Sequence, residues 1–248
     1  MSGPKAPGAK TPDVSVVMPA YNEAEILETS VSDVVEGLRV REVSFEIVVV
    51  ENGSTDSTFE LAQELAARFP EVRAEQSPEP DYGRALRHGL LAATGVAVVN
   101  FDADYYDLDF LQQAVERVSP DDGPAIIVGS KRSKGAHDTR PALRKLVTAT
   151  FSTLLRVVFG LKVSDTHGMK AMRRAAVEPY ARRCQFGKDL FDTELILRVE
   201  RAGLRTDEIP VAVIELRPAR TSILRRVPRT ILGLVKLRLA LWRDHKNV

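Results

Sequence analysis

The chain has 248 residues, with 35 Lys and Arg against 34 Asp and Glu and a formal net charge of +1. That balance argues against a dedicated nucleic-acid binder. At 44% hydrophobic and 28% charged residues it reads as globular, neither disordered nor fibrous, and long enough for a sizeable α/β core. The single cysteine, Cys184, excludes an internal disulfide, fits a reducing compartment and reads as structural.

Met1 to Pro12 holds Gly, Pro and Lys with no apolar run, so the sequence predicts a disordered tail over residues 1–12, neither signal peptide nor anchor. Val14 to Met18 reads as a first strand stopped by Pro19. Asn22, with Glu25 three residues on, has the form of a helix cap, the helix running to about Arg39. A second strand spans Phe45 to Val50. Ser57 and Glu60 fit a capping box for a helix through Phe69.

A short strand near Val72 precedes Asp81 to Gly89, a loop opening into a helix that ends near Thr94. Val96 to Val99 reads as a strand buried on both faces. A helix from about Asp109 to Val118 and a strand from Ala125 to Gly129 follow. Ser130 to Arg140 is a polar, basic loop, and Pro141 starts a long helix to about Phe159. A helix from about Lys188 to Ala202 and a strand from Ile209 to Glu215 come next. Ile223 to Trp242 alternates Leu, Ile and Val with Arg and Lys. Repeated strand, loop and helix predict a parallel sheet with right-handed crossovers.

The central strand runs into Asp102-Ala103-Asp104. In extended geometry the two carboxylates share a face and can hold one hard cation where open α/β sheets bind ligands. Oxygen ligation suits Mg²⁺ or Mn²⁺, and the lack of a Cys/His cluster argues against zinc. Taken alone, Asp-x-Asp also fits a turn or a helix cap.

The order of motifs resembles the GT-A glycosyltransferases of family 2, and among them the dolichol- or polyprenol-phosphate sugar synthases. The resemblance rests on Val16-Val17-Met18-Pro19-Ala20-Tyr21-Asn22-Glu23, Val48 to Asp56 and Asp102-Ala103-Asp104. In the second half it rests on Gly129-Ser130-Lys131-Arg132, Asp165 to Lys170 with Arg173, Phe191-Asp192-Thr193-Glu194-Leu195 and Glu208-Ile209-Pro210-Val211. It implies a GT-A, Rossmann-like α/β domain over residues 13–220 with a mostly parallel sheet flanked by helices. The residues over 221–248 fit an amphipathic basic helix, one that lies on an anionic membrane face or one that packs on the core with a solvated basic face. This chain departs from the family pattern at Glu51-Asn52, where Asp-Asp is usual, and at Tyr82-Gly83-Arg84, where Gly-Lys-Gly is usual. Arg217 to Ser222 meets the common Arg-x-x-Gly-x-Ser-Lys stretch in part, with Ile223 in place of Lys.

The implied activity is inverting, metal-dependent transfer of a hexose from a GDP- or UDP-sugar to a polyprenyl phosphate, at the cytoplasmic face of a membrane the protein touches peripherally. Asp104 is the first metal ligand, with Asp102 sharing the ion or binding ribose, and His167 contacting the metal or the diphosphate. Pro19, Ala20, Tyr21, Glu23, Glu51 and Asn52 are expected to line the nucleotide pocket, with Asp81 and Arg84 added. Arg132, Arg144 and Arg173 are expected to position the acceptor phosphate. A hydroxyl acceptor would instead need a base, for which Asp192 is the candidate. A family 2 enzyme acting on a soluble or glycan hydroxyl and a non-catalytic nucleotide-sugar binding module stay open, as does a homo-oligomer. No Gly-x-Gly-Thr-Arg-type start follows the first strand, which disfavours a nucleotidyltransferase.

Overall fold

The computed structural model describes residues 10–77, 79–130, 137–138, 150, 153–213 and 223–246. The basic loop's Arg132, the start of the helix expected from Pro141, with Arg144, and Arg217 to Ser222 lie outside them, while the end of that helix, residues 153–159, is helical as expected. The elements in chain order are β1 (Val14–Ala20), α1 (Leu27–Val40), β2 (Phe45–Glu51), α2 (Thr58–Arg68), β3 (Val72–Gln76), α3 (Tyr82–Ala92), β4 (Ala97–Asn100) and α4 (Leu108–Val118). They continue with β5 (Ile126–Ser130), β6 (His137–Asp138), helical residues 153–159 (α5), β7 (Lys170–Arg173) and α6 (Arg174–Arg183). A 3₁₀ turn (Lys188–Leu190), α7 (Phe191–Arg201), β8 (Thr206–Pro210), β9 (Ala212–Val213) and α8 (Ile223–Lys246) complete the chain.

Seven strands form one sheet in the order β3-β2-β1-β4-β7-β5-β8, and β6 pairs with β9 beside it. The expected parallel sheet is present with one exception: β7 runs antiparallel to both β4 and β5, so the sheet is mixed. Pro12, expected in the tail, is instead buried, and its carbonyl accepts from Val96 N at 3.0 Å.

Side chains along β1 alternate between two cores. Val14, Val16, Met18 and Ala20 join α1, α2 and α4 on one face, while Val17 joins α3, α6, α7, α5 and α8 on the other. In α1 the buried Leu27, Val31, Val34, Val35 and Leu38 recur at helical spacing, and each contributes roughly 1.5–3 kcal/mol by leaving water. This double cover explains why the strands read as continuous apolar runs.

Two expected caps are replaced. Helix α1 begins at Leu27, not after Asn22, and Asn22 sits in the left-handed region at φ 54°. Its Oδ1 accepts from Thr55 N at 2.8 Å, so it ties the first loop to the second rather than starting a helix. Ser57 does hold the N-cap position of α2 but makes no side-chain cap; Asp56 Oδ1 accepts from Thr58 N at 3.1 Å.

Candidate active site

The loops that follow β1, β2 and β4 emerge at the same sheet edge, and the second supports the first. Asn22 N donates to Ser54 Oγ at 3.0 Å and Glu23 N to Thr58 Oγ1 at 2.9 Å. Asn52 donates through N and Nδ2 to Ala20 O at 3.1 and 3.0 Å. The Gly-Ser-Thr-Asp run therefore acts by fixing Tyr21 to Glu23. A cleft of about 610 Å³ opens there, lined by Pro19, Tyr21, Glu23, Asn52, Pro80, Tyr82 and the run from Asp102 to Asp104.

The acidic pair is held differently from the expectation. Strand β4 ends at Asn100, and Asp102 and Tyr105 exchange two backbone hydrogen bonds of 3.1 Å, so Asp102 to Tyr105 form a tight turn rather than an extended tail. Both carboxylates still face the cleft. Tyr82 Oη donates to Asp102 Oδ1 at 2.8 Å. Helix α3 brings Tyr82 there because Asp81 caps it, accepting from Arg84 N at 3.0 Å and Lys188 N at 2.6 Å. Gly83 permits this approach, since a Cβ there would stand 2.7 Å from the Lys188 backbone.

Burial pushes the Asp102 carboxyl above its usual range; the negative charges of Asp104 and Asp192 add to this, while the Tyr82 bond and the Lys170 charge oppose it. Burial and the Asp102 charge likewise push the Tyr82 phenol well up, so it stays a donor. Asp102 thus feels two other carboxylates against one ammonium, an excess of negative charge that a divalent cation would offset, and oxygen donors suit Mg²⁺ or Mn²⁺. Among the described residues no three His, Cys, Asp or Glu side chains converge as a metal cluster. The exposed His167 therefore does not gather with Asp102 and Asp104 as a three-residue ligand set.

Lys170 was not among the expected site residues. It lies opposite Asn100 on β7, with its N–H donating to Asn100 Oδ1 at 2.9 Å. Its side chain is 1% exposed, and Nζ stands 3.1 Å from Asp192 Oδ1. The aligned donations of Nζ go to the carbonyls of Gly168 at 2.6 Å and Thr166 at 3.3 Å. Asp192 Oδ1 is buried with no aligned hydrogen-bond donor among the described residues, so charge attraction alone holds it to the lysine.

Several expected nucleotide contacts turn out to serve the fold. Asp81 is consumed as the α3 cap, and Glu51 is buried, accepting from Ser54 N and from Gln76 Nε2 at 3.1 Å. Ala20 packs in the core. Arg84 points into a separate groove beside β3 and pairs with Glu79 at 2.6 Å. Arg173 is opposite Ala97, three residues or about 10 Å of strand from Asn100, and donates to Pro120 O at 2.5 Å. It belongs to the far end of the sheet and does not reach an acceptor phosphate at the cleft.

The profile described as Glycosyl transferase family 2 matches residues 15–180. Glycosyltransferase AglD of Haloferax volcanii is 35% identical over 213 residues, which cover 84% of this chain and 34% of that protein. The dolichyl-phosphate hexose transferase of the same organism is 30% identical over 201 residues, 80% of this chain and 82% of its own length. The chain thus spans about a third of AglD and most of the hexose transferase. Among solved structures, a mannosyltransferase from Pyrobaculum calidifontis in complex with GDP-Man and Mn²⁺ superposes with a TM-score of 0.59 at 25% identity, over 89% of this chain and 61% of that one. This likeness bears out the GT-A α/β fold.

Proposed function

Because the chain belongs to glycosyltransferase family 2, we propose that it moves a hexose from a UDP- or GDP-sugar to a polyprenyl phosphate. The observation that carries this reading is one cleft at the carboxyl ends of β1, β2 and β4 that holds both Asp102 and Asp104 beside Pro19, Tyr21, Glu23 and Asn52. The lipid phosphate comes from relatives named as dolichyl-phosphate transferases.

In the proposed reaction an acceptor phosphate oxygen attacks the anomeric carbon, the bond from that carbon to the diphosphate oxygen breaks, and the electron pair leaves with the nucleoside diphosphate. One displacement inverts the carbon. Asp104 and Asp102 would hold a divalent cation, which when bound would supply Lewis-acid stabilisation of the departing charge. Tyr21, 44% exposed at the cleft, offers a ring to the base, and Glu23 and Asn52 offer acceptors and a donor to base and ribose. Tyr82 fixes the Asp102 carboxylate through its 2.8 Å bond. A phosphate is already anionic near neutral pH and needs no general base. The paired, buried state of Asp192 accords with that, because its carboxylate is engaged by Lys170. Arg132 and Arg144 are the cations proposed for the acceptor phosphate, and the protein is proposed to sit peripherally on the cytoplasmic face of the membrane that holds the lipid.

The test is incubation with UDP-glucose or GDP-mannose and Mn²⁺, offered either a polyprenyl phosphate or sugar hydroxyls. Transfer to the lipid phosphate supports the reading. Transfer to hydroxyls alone replaces it with the soluble-acceptor enzyme, and metal-dependent binding without turnover replaces it with a binding module.

A further inference from the structure

Helix α8 is apolar on two opposite sides. Leu234, Leu237 and Leu241 are buried against α7 and its neighbours. Leu232, Val235, Leu239 and Trp242 are 57%, 53%, 50% and 55% exposed. At 100° per residue these four fall within one 80° sector, opposite the buried three. Lys236 and Arg243 flank the sector on one side and Arg238 on the other. Arg238 ties α8 to α5, its guanidinium donating to Val158 O and lying 5.9 Å from the Phe159 ring centre. The adjoining α5 adds Val157, 80% exposed, and Leu154, 40% exposed.

We propose that this ridge is the surface through which the protein docks on an anionic lipid bilayer, lying in the interface with Trp242 inserted among the headgroups. The inference rests on the lipid-acceptor reading for its purpose, and on α8 itself for its evidence. Charge decides the occupant. From Ile223 to Arg243 the sequence carries six Arg and Lys and no Asp or Glu. Two copies meeting through this ridge would bring like charges together, whereas an anionic headgroup layer complements them. An apolar stripe between basic flanks, with an indole at its edge, suits the water–hydrocarbon boundary. No helix among the described residues is long and apolar enough to cross a membrane, so the contact is interfacial.

The inner side of α8 packs on the turn that also supports the cleft. Gly233 packs so closely on Leu190 that a Cβ there would stand 2.3 Å from Leu190 Cδ1, and the same 3₁₀ turn receives Gly83 of α3. One residue before Gly83, Tyr82 holds Asp102. Helix α8 is thus coupled through this turn to α3 and the site, on the side of the helix away from the exposed ridge.

Trp242 is the single tryptophan of the chain and reports on the contact without a label. The full chain is mixed with vesicles of phosphatidylcholine containing a third phosphatidylglycerol, or of phosphatidylcholine alone, both without polyprenyl phosphate. The expected result is a blue-shifted emission and quenching by brominated acyl chains on the anionic vesicles, with partitioning about tenfold weaker on the neutral ones. Leu239→Glu, an exposed change whose fold is checked by circular dichroism, is expected to abolish the shift. An unshifted emission on anionic vesicles overturns the proposal, and so does a blue shift that appears without lipid as the protein dimerises. The readout needs no turnover, so loss of the acceptor reading would show separately as absent transfer to lipid phosphate.

Discussion

The phenol of Tyr82 donates to Oδ1 of Asp102 at 2.8 Å, joining the first turn of α3 to the acidic turn after β4. The bond spends one carboxylate oxygen and fixes the plane of the other. Tyr82→Phe removes the donor while keeping the ring. A single hydrogen bond of this kind is worth about 1 kcal/mol, so Mn²⁺ and nucleotide affinity should fall about fivefold with little change in melting temperature. Mn²⁺ titration by electron paramagnetic resonance measures this. Unchanged affinity would mean that the carboxylate is aligned by its turn alone.

Asp104 differs from Asp102 in being exposed. Asp104→Asn should therefore leave unfolding free energy within about 0.5 kcal/mol of the parent. It should also reduce transfer by about 10²–10³-fold, because the dication would lose its better-solvated ligand. A thermal-shift pair gives an independent readout: Mn²⁺ with UDP or GDP should raise the melting temperature of the parent and not of Asp104→Asn, since ligand bound to the native state stabilises it by mass action.

The α/β alternation was legible because β1, β2, β4 and β5 are covered on both faces, so their runs are almost wholly apolar. The antiparallel β7 was harder, being four residues with Lys170 and Arg173 at its ends. The acidic pair could be read from its position after β4, but its turn could not, since a pairing of Asp102 with Tyr105 leaves no periodic trace. Asp81 and Glu51 were expected at the nucleotide because their types suit it. Their actual partners, Lys188 at 107 positions away and Gln76 at 25, are set by tertiary structure. Lys170 went unassigned because lysine is rarely buried. The available signals were its place in the Asp165 to Lys170 stretch that carries the family resemblance and within an apolar run, Met169-Lys170-Ala171-Met172.

Lys170 and Asp192 form an ion pair whose side chains are 1% and 4% exposed. Removing one partner strands the other charge out of water. Lys170→Met should destabilise the protein by about 3–5 kcal/mol, and Lys170→Met with Asp192→Leu should recover most of that loss. Urea unfolding of the two single variants and the double variant closes the cycle. Additive losses in the double variant would show that the pair is not coupled.

At the opposite end of the sheet, Glu46 supplies the clearest pH dependence. Its Oε1 accepts from Ser15 Oγ and Thr94 N at 2.6 Å and from Thr94 Oγ1 at 2.8 Å, and Oε2 lies 3.2 Å from Arg73. Burial alone would raise the Glu46 carboxyl, but the Ser15 and Thr94 bonds and the Arg73 charge outweigh it and hold the group below its ordinary 4.5. A carboxyl lowered in the folded state stabilises that state in full above the unfolded value. The contribution is lost as pH falls below 4.5 through the folded value, at a limiting slope of about 1.4 kcal/mol per pH unit. Glu46→Gln should therefore cost about 1–3 kcal/mol at pH 7, and that cost should shrink as pH falls below 4.5 and the parent in turn loses its anion. Denaturant unfolding of both proteins between pH 3 and 7 should give curves that converge on acidification; parallel curves would place the stabilisation in packing, not in the ionised carboxylate.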